Sequence, residues 1–104
     1  MENQQLYRQG DVLIRRIGGL PKQKAVKREN GILLEGEATG HMHRVAEKTQ
    51  AEVLEIQNGV YLRVGEEGVR IVHEEHADLV LPPGNYEVIR QREYSPEEIR
   101  NVAD

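Results

Sequence analysis

Glycine, proline and Asn-Gly pairs cut this chain into short runs, most of them too brief for a helix and rich in β-branched residues. Residues 10–17, 31–38, 41–47, 52–57, 60–64, 69–73, 77–81 and 85–93 read as strands by length and flanks. Between 52–57 and 60–64 stands Asn58-Gly59, a pair that tolerates positive φ and so marks a tight hairpin. Gly36 is a candidate bulge, and Pro83-Gly84 fits the two central positions of a type II turn. Residues 18–30 carry Gly18, Gly19, Pro21 and the cations Lys22, Lys24, Lys27 and Arg28, and are expected to form a solvated loop.

Only the end looks helical. Ser95, Pro96 and Glu98 form a capping box, and Tyr94 can pack on Ile99 as a hydrophobic staple. Ile99, Val102 and Ala103 then make a narrow apolar stripe over 95–103. With residues 1–8 as a flexible N-terminus, the expectation is one all-β domain spanning 1–104. Its form is a small barrel or two-sheet sandwich, closed by one short C-terminal helix.

Composition narrows what such a domain does. Phe and Trp are absent and the aromatics are four tyrosines, so the core must be aliphatic. A small aliphatic core is often supplemented by a bound ion or by oligomerisation. A homo-oligomer is expected, most simply a dimer that covers the terminal helix. The net charge of −4 argues against a partner of nucleic acid. No apolar run approaches the ~20 residues of a membrane helix, and the polar start Met-Glu-Asn-Gln-Gln has no apolar signal region. With no cysteine as well, the expected compartment is the cytoplasm.

The four histidines fall into two tight pairs, His41-Met-His43 and His73-Glu-Glu-His76. Residues i and i+2 of a strand project from one face, so His41 and His43 can aim at one ion. His73 continues the row of Val69 and Ile71, whereas His76, at i+3, joins only if Glu74-Glu75 bends the chain. Glu47 and Glu75 stand near enough in sequence to add a ligand or an acid/base group. Imidazole with carboxylate and no thiolate suits a divalent transition metal, Zn, Ni, Fe or Mn. Ordinary surface or core histidines are the alternative. Glu35 and Glu37 share a face and can either orient the imidazoles or face water, and Tyr86, Arg90 and Arg92 can meet a small-molecule anion or simply snorkel. Nothing identifies a catalytic residue: the only serine, Ser95, is explained as a cap, and no glycine-rich loop opens a helix.

The run His41-Met-His43-Arg-Val-Ala-Glu47 resembles part of the first cupin motif. That resemblance implies a β-barrel in which these three side chains bind a metal, with a further histidine from a later strand, His73 or His76. The cupin Pro-x-Gly ahead of that last histidine has no counterpart, because Pro82-Pro83-Gly84 follows the pair. From His73 to Tyr94 the chain also resembles a group of small uncharacterised bacterial and phage proteins. The opening strand, residues 10–17, is similar to the start of the co-chaperonin barrel, which binds no metal. The function expected is therefore binding of one divalent transition metal, with or without catalysis. The competing expectation is a non-enzymatic oligomeric module.

Overall fold

Alternation of apolar and polar residues along short strands leaves one face of each to be covered, and two sheets cover each other. A computed structural model describes residues 5–35 and 41–90. The described strands are β1 (Leu6–Gln9), β2 (Val12–Ile17), β3 (Ala25–Arg28), β4 (Ile32–Glu35) and β5 (Met42–Val45), followed by β6 (Ala51–Ile56), β7 (Gly59–Val64), β8 (Val69–Val72), β9 (Leu79–Leu81) and β10 (Gly84–Arg90). They pair antiparallel as a six-stranded sheet, β1-β2-β10-β7-β6-β3, and a four-stranded sheet, β4-β5-β8-β9. The all-β expectation holds, in its two-sheet form.

The large sheet contributes Val12, Ile14, Val53, Leu62, Val64, Tyr86 and Val88 to the core. The small one contributes Leu33, Val45, Val69, Ile71 and Leu81. Each such side chain, fully buried, stabilises the fold by about 1.5–3 kcal/mol before conformational entropy is charged against it. Polar side chains also join the sheets. Arg28 on β3 donates to the carbonyls of Ile32 and Leu33 on β4, both at 2.9 Å. Gln9 on β1 donates to the carbonyl of Ile71 on β8 and to that of Ala77, also both at 2.9 Å. The Gln9 bridge is what brings the β1–β2 turn to the histidines.

Several boundaries differ from expectation. Leu6–Gln9 is strand rather than flexible terminus: Tyr7 and Gln9 face inward, and one aromatic beside one amide leaves no apolar alternation to read. β3 lies inside the expected loop 18–30. It is an edge strand whose cations serve as edge protection, so its composition reads as loop. The irregular register in β4 falls between Ile32 and Leu34, while Gly36 lies outside the described residues. In the β6–β7 hairpin Ile56 pairs with Gly59, so the two loop residues are Gln57 and Asn58, and Gln57 takes the positive φ of 56°. Gly84 has φ 149° and already begins β10, so Pro83-Gly84 is a bend and not a type II turn, which requires about +80°. The expected helix over 95–103, and the dimer contact expected to use it, lie outside the described residues. Among the described residues no helix is long and apolar enough to cross a membrane.

Candidate metal centre

Strand register assembles the histidines. β5 and β8 pair with Arg44 opposite Val72 and Val45 opposite Ile71. One step further along the same register sets His43 opposite His73, on the face that Val45 and Ile71 turn to the core. His41 lies two residues before His43 and shares its side. After β8 the chain bends through residues 74–76, and the bend turns His76 back. The rings of His43 and His73 stand 4.3 Å apart, those of His73 and His76 4.6 Å, His41 and His73 5.6 Å, and His43 and His76 6.3 Å. All four imidazoles therefore form one cluster, and the bend that His76 needed is present.

The cluster grades from dry to wet. His43 is 2% exposed, His41 and His73 are half-buried, and His76 is exposed. Burial, and next the neighbouring His73, push the His43 pKa below the usual imidazole value. The ring is accordingly neutral at pH 7, the form a metal requires. His41, His73 and Glu74 place one donor atom each within 4.8 Å of one another. Glu74 accepts the Met42 N–H at 3.0 Å, and that bond chiefly holds its carboxyl below the usual range. Glu75 approaches His41 Nδ1 at 3.4 Å through Oε2, while its N–H donates to His73 Nδ1 at 3.0 Å. An ion that takes Nδ1 of His73 displaces this bond, and one that takes Nε2 shifts the ring proton to Nδ1 and displaces it as well.

A third element was not anticipated. The β1–β2 turn, Gln9-Gly10-Asp11, sits against the cluster. Gln9, 3% exposed, accepts from His43 Nδ1 at 2.9 Å. Asp11 Oδ1 lies 3.4 Å from His43 Nε2, and its Oδ2 lies 3.7 Å from Arg90 Nη1. Gly10 has φ +59°, and a Cβ there would stand 2.5 Å from His76 Nε2. Only glycine both adopts that turn and leaves the ring its place. Gly10→Ala should therefore displace His76 and lower stability by about 1–2 kcal/mol, the cost of a left-handed non-glycine residue. Urea unfolding would measure the loss, and wild-type stability would mean that the turn at residue 10 does not need glycine.

The remaining candidates lie elsewhere. Glu47 pairs with Arg70 at 2.7 Å, and Arg70 points away from the core beside the inward Ile71, so the third residue of the cupin-like run does not meet the two histidines. Glu35 is exposed, and Glu37 and Arg92 lie outside the described residues. The acceptor that orients His43 is Gln9 instead. Tyr86 belongs to the core. Arg90 does reach the site, through Asp11. Surface cavities around Thr49, Gln50 and Gly65 and around Arg28, Leu34 and Glu55 contain no histidine. Gln9, Gly10, Asp11 and Glu74 are the site residues that sequence reasoning missed. A lone Gln-Gly-Asp turn carries no ligand signal, and Glu74 reads as a solvated strand end.

No curated protein and no solved structure matches the chain. The family found is not the cupins: residues 8–91 match the model described as a domain of unknown function (DUF8820), and the chain belongs to that family.

Proposed function

We propose that this protein binds a divalent transition metal in the cluster of His41, His43, His73 and His76. The observation that carries the reading is the spacing of the rings. Where two imidazoles meet one ion at a tetrahedral angle with metal–nitrogen bonds of about 2.0–2.1 Å, their centroids stand about 5 Å apart. Four of the six ring pairs stand 4.3 to 6.3 Å apart and bracket that distance. Glu74, and Glu75 beside His41, supply carboxylate to a donor set that excludes thiolate and suits Zn, Ni, Fe or Mn.

Protein purified without a histidine tag, stripped with chelator and reloaded, should carry about one metal per chain by mass spectrometry. Metal at background level after reloading would end this reading.

A further inference from the structure

We infer that Asp11 is a metal ligand, its Oδ1 sharing an ion with His43 Nε2. The inference rests on the metal reading above and adds to the site a residue that its histidine pattern does not contain. It begins with Gln9. The Gln9 amide nitrogen donates to two backbone carbonyls, those of Ile71 and Ala77, which only accept. The amide oxygen must then be the atom that faces His43 Nδ1 at 2.9 Å, and it too only accepts. Nδ1 consequently carries the proton. In the neutral ring the free lone pair sits on Nε2.

That lone pair faces Asp11 Oδ1 at 3.4 Å. Two acceptors turned towards each other repel unless something positive lies between them. A proton is one candidate, but it would create an imidazolium in a ring 2% exposed, with the His73 ring 4.3 Å away. A metal ion answers both atoms at once. Two ligand atoms around a tetrahedral ion at bonds of about 2.0–2.1 Å stand about 3.3 Å apart, which is the separation seen here. The carboxylate, though exposed, also has a partner on its other side. Its other oxygen faces Arg90, whose side chain is 12% exposed and is anchored by donation to the Glu35 carbonyl at 2.7 Å. Gly10, immediately before Asp11, permits the turn that presents the carboxylate to His43. The carboxylate thus has one oxygen in an ion pair with a guanidinium and the other facing His43 Nε2.

Asp11→Asn separates the metal role from a structural one. The asparagine keeps the volume, loses the charge, and gains an N–H that can donate to the His43 Nε2 lone pair. In the intact protein, with zinc as probe and a competing chelator, Asp11→Asn should weaken affinity at least about tenfold. Its metal-free Tm should equal or exceed that of the wild type, and nitrogen NMR of the wild type at pH 7.5 should show His43 Nε2 unprotonated. Undiminished zinc affinity in Asp11→Asn would overturn the inference. So would a protonated Nε2 together with a lower metal-free Tm in the variant, because Asp11 would then be the counter-ion of an imidazolium. Wild-type protein that takes up no zinc removes both this inference and the reading beneath it.

Discussion

Replacing His41 and His73 together with alanine should abolish the rise in Tm that zinc gives the wild-type protein. A ligand bound only by the folded state stabilises it by RT ln(1 + [L]/Kd), about 2.7 kcal/mol at a hundredfold excess over Kd. These two histidines are the informative pair because they are half-buried and share the tight donor set with Glu74. His43 would confound the experiment, since its ring is buried and bonded to Gln9 and its removal also opens the core. The wild-type gain should further depend on pH. Imidazole binds metal only when neutral, so protons compete with zinc as pH falls through about 6.5. The metal-free protein shows the same sign through His43. Its folded pKa lies below the reference value of 6.5, so the unfolded chain takes up the proton first. The stability that follows from burying a neutral ring is present above the unfolded pKa and is lost as pH falls through the folded one. Thermal denaturation with and without zinc, from about pH 8 to about pH 5, measures both effects. A zinc-induced shift that stays constant across that range, or that survives in the double variant, would exclude imidazole ligation.

The parts of this molecule legible in its sequence are those in which one residue's direction follows from its neighbour's. His43 and Val45 alternate inward with Arg44 outward, and Val69 and Ile71 aim His73 in the same way. Strand alternation is local, so it could be read without the fold. The meeting of His43 with His73 needed the β5–β8 register, which no local pattern states. The Gln9-Gly10-Asp11 turn belongs to the opposite sheet and arrives through pairing of β1 with β2 and the Gln9 bonds to Ile71 and Ala77. Its residue types are those of any hairpin, so their chemistry appears only when the sheets face each other. Glu47 errs in the opposite direction. Its spacing from His43 matches a cupin-like run, yet it pairs with Arg70, whose side chain is on the outer side of β8. Spacing alone does not decide which face a residue takes once the strand has ended at Val45.

Tyr86→Ala should cost about 3–5 kcal/mol, the range for truncating a large buried ring, against a total stability of about 5–15 kcal/mol for a domain of this kind. Tyr86 is 0% exposed in a core otherwise built almost entirely from aliphatic residues. It sits mid-strand in β10, opposite Leu62 on one side and Arg16 on the other. Tyr7 meets its ring edge-on at 6.1 Å, and the Arg16 guanidinium lies 5.8 Å from the ring centroid. Alanine would leave a cavity that the paired strands cannot close by collapse, because β2 and β7 are held apart by hydrogen bonds to β10 itself. The hydroxyl contributes separately. It donates to the Pro82 carbonyl at 2.6 Å, and burial pushes its pKa up, so it stays a neutral donor. Tyr86→Phe removes that one bond and should cost about 1 kcal/mol, the usual net value of an internal hydrogen bond. Urea unfolding of the two variants separates ring from hydroxyl. If Tyr86→Ala fell within about 1 kcal/mol of wild type, well short of the truncation range, the ring could not be the central packing element that joins β10 to both its neighbours.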